Sequence, residues 1–412
     1  MEKQRCIIVG ASHAAGELCI SLRKEGWTGV ITVVGEENYL PYNRPPLSKT
    51  FLAGEKNIDD LLIRHAEAYT KADVQMKLGC RVEKIDRESK KVTLNTNETL
   101  AYDKLILTTG ARPRIMDMPG AELENVFYLR SIQDADHIRP YIQKESRAVI
   151  IGGGYIGLET AAMLVSTGMH VTLLERDPRI LNRVAAPEIS QFFSRIHTEE
   201  GVELFTDVDI SELKADGNGT KVNEVVCSDG KSFAADLLII GIGVITNSEL
   251  AEEAGLEINN GIVVNAFAET SDPDILAAGD CSYHFNKHYQ RWLRLESIQN
   301  AVEQAKVAAR TVCGNPQEYD QIPWFWSDQY DLKLQIAGLS GGYDNLIVRG
   351  DLSAGRKMAV FYFKEDNLIA VDAVNSPQEF MFGKRALAQS SRLDIDKLTD
   401  SSVPMKELML QD

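Results

Sequence analysis

Paired cysteines are missing from this sequence. Its six, Cys6, Cys19, Cys80, Cys227, Cys281 and Cys313, are scattered over 412 residues with no Cys-x-x-Cys and no metal-ligand spacing. Neither a disulfide framework nor a metal site is supported. Positive charge is in deficit: 44 Lys+Arg stand against 60 Asp+Glu, a formal −16. Such a chain repels phosphate backbones and anionic lipid, which argues against nucleic acid and membranes as partners. Long apolar runs are also lacking, since the most apolar stretch, residues 237–245, contains two glycines and falls far short of the ~20 residues that span a bilayer. No basic segment with an apolar core and cleavage site precedes the strand at residues 6–9, so the expectation is a soluble, cytoplasmic protein. With 44% hydrophobic and 25% charged residues, the composition excludes a disordered or low-complexity scaffold. At about 100–200 residues per domain, the length allows two to four domains.

One local pattern is used twice. Arg5-Cys6-Ile7-Ile8-Val9 leads into Gly10-Ala11-Ser12-His13-Ala14-Ala15, then a helical pattern through Leu18, Leu22 and Trp27, then a strand ending at Gly35-Glu36. Ala148-Val149-Ile150-Ile151 leads into Gly152-Gly153-Gly154-Tyr155-Ile156-Gly157, a helix through Met163, and a strand ending at Glu175. Each is a β-α-β unit with a glycine-rich turn. The second satisfies the dinucleotide fingerprint: Gly152 permits the tight turn, Gly154 lets backbone approach a diphosphate, and Gly157 packs helix on strand. Glu175 stands about twenty residues on, where an acid accepts from a ribose hydroxyl. A carboxylate there would repel a 2′-phosphate and so favours NADH, a preference softened by adjacent Arg176. In the first copy Ser12 occupies the second glycine position and Ala15 the third, where Ala is accepted; Glu36 is placed for a ribose.

Between the copies, residues 74–107 alternate with period two and are expected to form antiparallel strands leading into an apolar strand before Gly110. A matching apolar strand at residues 235–243 belongs in a parallel sheet covered on both faces. After about Tyr319 the chain changes character, through Pro323-Trp324-Phe325-Trp326-Ser327-Asp328 and short strands to a helix, which predicts a third, smaller α+β domain.

Thr270-Ser271-Asp272-Pro273-Asp274-Ile275-Leu276-Ala277-Ala278-Gly279-Asp280 is similar to the second flavin signature of two-dinucleotide flavoproteins. Together with Arg44-Pro45-Pro46-Leu47-Ser48-Lys49, residues 151–159, Arg294-Leu295-Glu296-Ser297, Trp324-Phe325-Trp326-Ser327-Asp328-Gln329-Tyr330 and Ser402-Val403-Pro404-Met405-Lys406-Glu407, it makes the chain resemble, end to end, the FAD-dependent ferredoxin reductases of the putidaredoxin reductase type, within the glutathione-reductase-like superfamily. The resemblance implies an α/β fold of two Rossmann-like domains plus a C-terminal α+β domain: FAD-binding over residues 1–110 and 240–318, NAD-binding over 111–239, and an interface domain over 319–412. It implies that Gly10, Ser12, Ala14, Ala15, Glu36, Arg44, Lys49, Val82, Arg130, Asp280 and Ile298 contact FAD. Gly152, Gly154, Tyr155, Ile156, Gly157, Glu159 and Glu175 would hold NAD(H). Lys49, reaching toward flavin N5, and Glu159, near the nicotinamide, would be catalytic and able to pair. Read without the resemblance, they are a surface lysine and a first-turn glutamate favoured by the helix dipole.

Hydride transfer from nicotinamide to a stacked flavin asks the protein for orientation and electrostatics. Where the electrons go next follows from what is absent. Disulfide reductases of this superfamily need a cysteine pair beside the flavin, and related NADH oxidases one cysteine in the loop that here spans residues 39–49 without any. The electrons must therefore pass outward, singly, and the resemblance favours a 2Fe–2S ferredoxin feeding an oxygenase of haem-thiolate or Rieske type. Alternatives are a rubredoxin or small-acceptor reductase on the same fold, or an NADH-sensing flavoprotein acting through protein contacts. Residues 281–313 carry Lys287, Arg291, Arg294, Lys306 and Arg310 against Glu296 and Glu303. Arg291 and Arg310 are thus candidates for a ferredoxin dock, or simply for a solvated helix face. Trp326 either packs the domain core or shortens the electron path to the partner.

Overall fold

The strands that carry both glycine turns are apolar because each runs through the middle of a parallel sheet. The computed structural model describes residues 3–410, and the ends of the expected outer domains, residues 1–2 and 411–412, lie outside them. Packing divides the chain into two units: Met1–Arg44, Ile58–Arg112 and Val244–Pro323; and Pro45–Asn57, Pro113–Gly243 and Trp324–Asp412.

In the first unit, Arg5–Val9 lies parallel between Val30–Gly35 and Lys104–Leu107, with Val9 opposite both Val34 and Leu107. Ile275–Ala277 forms one edge and Val74–Leu78 the other. Helices His13–Lys24 and Ile298–Val312 cover one face, joining Leu18, Leu22 and Ala305 to Ile8 and Ile31 in a single core. Burying Leu18 and Leu22 contributes roughly 1.5–3 kcal/mol each. Val74–Leu78 corrects the expectation of antiparallel pairing throughout residues 74–107, because it pairs parallel with Val30–Gly35. The helix Ala66–Lys71 precedes it, and a helical crossover returns the chain parallel where a hairpin would reverse it. Val82–Asp86, Lys91–Leu94 and Thr99–Ala101 do form an antiparallel sheet.

In the second unit the sheet order is Val202–Phe205, His170–Leu174, Arg147–Ile151, Leu237–Ile240, Val126–Phe127. Leu237–Ile240 is buried at every position, as a strand covered on both faces must be. The C-terminal segment adds a five-stranded antiparallel sheet, Trp324–Gln329, Leu332–Gly338, Asn367–Val374, Met358–Lys364, Asn345–Gly350. Helix Pro377–Gln389 lies on it so closely that a Cβ at Gly383 would stand 2.4 Å from a Val371 methyl. Two Rossmann-like sheets and a smaller α+β element make up the fold class implied by the sequence. Among the described residues no helix is long and apolar enough to cross a membrane.

Candidate functional site

The second glycine turn is built by close approach. Gly152 has φ +109, and a Cβ on it would stand 2.4 Å from the Gly241 carbonyl oxygen of the neighbouring strand's end; one on Gly157 would meet the Gly152 carbonyl oxygen at 2.1 Å. Around Gly154, in contrast, an added Cβ would meet nothing within 4 Å. Gly154 is the N-cap of helix Tyr155–Ser166 and supplies no capping side chain, so an open cradle faces uncapped N–H groups, a seat suited to a diphosphate. Glu175 closes the rim: its Oε2 accepts from the Gly153 N–H at 2.5 Å and its Oε1 from Asp177 N–H at 2.8 Å. Ile156 holds an apolar side chain 48% exposed on the first turn. The Tyr155 ring lies 4.7 Å from that of Phe325. Its hydroxyl is buried with no hydrogen-bond partner, and burial, with the charges of Asp372 and Glu159, pushes its pKa well up.

The first turn begins the same way, with φ +102 at Gly10 and a notional Cβ 2.3 Å from the Thr108 carbonyl oxygen. Ser12 is the N-cap of helix His13–Lys24 but does not cap it; its hydroxyl accepts from Arg44 Nε at 3.2 Å. Ala14 and Ala15 are buried. A Cβ on Gly279, whose φ is +88, would lie 3.6 Å from Ala14 Cβ, so the bend that presents Asp280 sits against the turn helix. Ile298 opens the helix Ile298–Val312, whose cap Ser297 accepts from Asn300 N–H. Arg44 donates to Glu37 at 2.7 Å and to the Tyr42 hydroxyl at 3.1 Å, while Tyr42 donates to Glu37 at 2.6 Å. Burial pulls the Arg44 pKa down, but Tyr42, Glu37 and Asp280 outweigh it and leave it raised. Glu36 is exposed and lies 3.7 Å from Arg81; Val82 opens the adjoining strand, buried. Glu37 and Tyr42 went unnoticed in the sequence, although Glu37 adjoins the expected acid.

Lys49, Arg130 and Glu159 belong to the second unit. Pro45–Ser48 forms one 3-10 turn, and the loop after it is anchored where Arg139 donates to the Phe51 carbonyl at 2.5 Å and stacks 4.1 Å above the Phe51 ring. Lys49 Nζ lies 2.5 Å from Glu159 Oε2, which also accepts from Ser48 Oγ at 2.7 Å; Glu159 Oε1 accepts from Ser327 Oγ at 2.7 Å. Glu159 is 5% exposed. A carboxylate so buried stays charged only when cations and donors replace its water, and here one cation and two hydroxyls do. Ser48 and Ser327 are site residues the sequence reading passed over, though each stands inside a motif it singled out. Arg130 precedes helix Ile132–Ile138, whose Ser131–Asp134 capping box also takes the Arg130 N–H at 3.0 Å.

The six cysteines form no disulfide. Burial raises the thiols of Cys6, Cys227, Cys281 and Cys313, and that of Cys19 to about 12, the opposite of a reactive thiolate. The cations of residues 281–313 are largely committed within their own unit: Lys287 to Glu318, Arg294 to Glu296, Lys306 to Glu303, and Arg310 to Glu25 at 3.2 Å. Arg291 is exposed, its guanidinium 5.8 Å from the Tyr289 ring, beside Trp292 at 44% exposure. Trp326 is half-buried, 5.5 Å from the Trp324 ring.

Comparison with known proteins bears on this geometry. Residues 4–305 match the family model "Pyridine nucleotide-disulphide oxidoreductase", and residues 324–409 the model "Reductase C-terminal". Putidaredoxin reductase CamA of Pseudomonas putida is 43% identical over 98% of this chain and 96% of its own. A ferredoxin–NAD(P)(+) reductase of Sphingomonas sp is 40% identical over 98% and 97%. The reductase in the crystal structure of the covalent putidaredoxin reductase–putidaredoxin complex is similar with a TM-score of 0.96 and 42% identity, covering 99% of this chain and 98% of that one.

Proposed function

The chain belongs to the pyridine nucleotide-disulphide oxidoreductase family, and from that premise we propose that it is an NADH-dependent ferredoxin reductase of the cytoplasm. Bound FAD would supply hydride acceptance from NADH and single-electron release to a 2Fe–2S ferredoxin serving an oxygenase. The observation that carries this reading is the charged pair Lys49–Glu159, its carboxylate buried and accepting from two serines, in a chain where burial raises the thiols of Cys6, Cys19, Cys227, Cys281 and Cys313. Beside bound FAD, Lys49 would favour negative charge developing on the flavin, and the fixed Glu159 carboxylate would hold that cation in place.

The first glycine turn with Ser12, Ala14, Ala15, Glu36, Arg44, Val82, Asp280 and Ile298, joined by Lys49 and Arg130, would hold FAD. Gly152, Gly154, Tyr155, Ile156, Gly157, Glu159 and Glu175 would hold NADH. In domain terms, residues 1–110 and 240–318 serve FAD, 111–239 serve NADH, and 319–412 face the partner. Arg291, Arg310 and Trp326 are assigned to the ferredoxin dock; the exposed Arg291–Trp292 edge supports this, while the Arg310–Glu25 pair leaves Arg310 less charge to offer.

The test is anaerobic. NADH should bleach the yellow reconstituted protein, and a 2Fe–2S ferredoxin should reoxidise it over many turnovers, faster than rubredoxin does. A long-lived reduced protein–NAD complex that passes electrons slowly to every acceptor would make it a sensor. Charge reversal at Arg291 and Arg310 should slow ferredoxin reduction and flatten its salt dependence while sparing reduction by NADH.

A further inference from the structure

Ser327 and Gln329 are the inward-facing, 1% exposed positions of strand Trp324–Gln329, two residues apart and therefore on one face. Polar side chains buried this deeply must find partners, and theirs form a line. The Tyr330 hydroxyl lies 3.0 Å from His197 Nδ1, and His197 Nε2 2.8 Å from Gln329 Oε1. Gln329 Nε2 donates to Ser327 Oγ at 3.1 Å, and Ser327 Oγ to Glu159 Oε1 at 2.7 Å. Burial pushes the His197 pKa down to about 4, so the ring carries one proton. An amide oxygen only accepts, hence that proton is on Nε2, and Nδ1 accepts from Tyr330. Turning the Gln329 amide over would aim its oxygen at Ser327 and draw that hydroxyl's proton away from the carboxylate. With Glu159 ionised and paired to Lys49, only this orientation satisfies every member.

We propose that His197, Gln329 and Ser327 are positioning residues, a one-way line of hydrogen-bond donors that ends on Glu159, keeps it charged and aims its other oxygen at Lys49. The line is not a proton path, because an amide in its middle does not relay protons in its ordinary form. Its role is electrostatic: each donor polarises the next, and all lean toward the anion. The Ser-Asp-Gln portion of the C-terminal segment's first strand thereby acquires a part in the chemistry of a helix nearly 170 residues earlier in the chain. Facing Glu159 are Lys49 and Ser48 from the Pro45 turn, Ser327 with Gln329 and His197 behind it, and Tyr155 on its own helix. Arg147, His170 and Glu203, the titratable residues of the strands beneath, are exposed and bound to Asp236, Glu145 and Thr172.

The inference rests on the proposed function, and its test separates the two. In S327A, anaerobic flavin reduction by NADH should slow about tenfold at neutral pH, the scale of one charge-assisted hydrogen bond, with KM changed about twofold at most. S327T should restore the rate to within about threefold, and H197F, which keeps the ring and removes the distal donor, should slow it about threefold. A readout independent of turnover is infrared spectroscopy of the protein without nicotinamide at neutral pH. The ionised-carboxyl band, assigned by its loss in E159Q, should shift in frequency in S327A relative to the wild type, because one of its two hydroxyl donors is gone. A wild type that NADH fails to bleach overturns the proposed function together with this inference. A bleaching wild type whose carboxyl band and reduction rate match those of S327A overturns the inference alone.

Discussion

The two glycine turns are one piece of geometry finished in two ways. Both start with a left-handed glycine pressed to within 2.3–2.4 Å, at its missing Cβ, of the carbonyl at the end of a neighbouring parallel strand. That first position is dictated by the sheet, because any side chain would collide with backbone that cannot give way. The later positions differ. At the second, Gly154 opens on empty space, whereas Ser12 spends its hydroxyl on Arg44. At the third, Gly157 has no room for a methyl group, whereas Ala15 is accommodated and fully buried. The acids part company as well: Glu175 is latched to the turn it serves, while Glu36 stands in solvent near Arg81. A shared fold therefore demands only the first glycine, and the rest of each turn answers to its ligand.

The sharpest way to break this comparison is to damage the shared position in each copy. G10V should yield protein without yellow colour. G152V should stay yellow yet lose bleaching by NADH about 100-fold or more, as a side chain is forced into a left-handed, overpacked site. Absorbance of the purified variants and stopped-flow reduction check both. If G152V loses the yellow colour as well, the turns are not independent sites.

The next effect separates the units by pH. Each buries a neutral histidine, His284 in the first and His197 in the second, both pushed down to about 4 by burial. An unfolded histidine binds its proton near pH 6.5, so both units lose stability as pH falls from about 6.5 to 4, by roughly 3 kcal/mol per histidine. The second unit also buries Asp372, raised to about 7 by burial although it accepts from the Tyr362 hydroxyl at 2.6 Å. Its folded form holds a proton that the unfolded chain releases near pH 4. The stability that Asp372 contributes is therefore full below pH 4 and lost as pH rises toward 7, on the order of 4 kcal/mol, opposite in sign to the histidines. D372N should raise the melting temperature at pH 8 and leave it unchanged near pH 4, in thermal melts across that range.

Much of this was legible in the sequence, and the gaps have a physical pattern. Strand–turn–helix units announce themselves because apolar periodicity and glycine placement are local. The parallel pairing of Val74–Leu78 was hidden because alternation reports which face is covered and not which neighbour is paired. Ser48, Ser327, Gln329 and His197 were hidden for a related reason. Serine and glutamine carry no intrinsic sign of function, and only the approach of distant segments shows where their donors point. Lys49 and Glu159 were named through resemblance, but that Glu159 sits in a four-membered cluster of one cation and two hydroxyls is a fact of tertiary packing.

A smaller effect concerns the acids. E175A should erode the preference for NADH over NADPH about tenfold in kcat/KM, equivalent to ~1.4 kcal/mol. It removes both the ribose acceptor and the carboxylate that would repel a 2′-phosphate. E36A in the other turn should weaken FAD retention only a few-fold, because an exposed side chain interacts weakly through water. Steady-state kinetics with both nucleotides and flavin release on dilution measure the contrast. Equal, small effects would mean that latching an acid to the turn confers nothing on selectivity.

The smallest effect exchanges the second positions. G154S should leave the melting temperature unchanged, because a Cβ there meets no protein atom within 4 Å, yet raise KM for NADH several-fold by intruding on the diphosphate's space. S12G is the reverse exchange, and several terms nearly cancel in it. Ser12 has an extended backbone, φ −122, so glycine gains nothing from its freedom there and costs up to about 1 kcal/mol of unfolded-chain entropy. Arg44 loses the 3.2 Å acceptor but keeps Glu37 and Tyr42. What remains is the removal of a hydroxymethyl group from the path of the phosphate. FAD should bind about twofold more tightly, measured by flavin fluorescence on titration of the stripped protein, while the melting temperature of the stripped protein falls slightly.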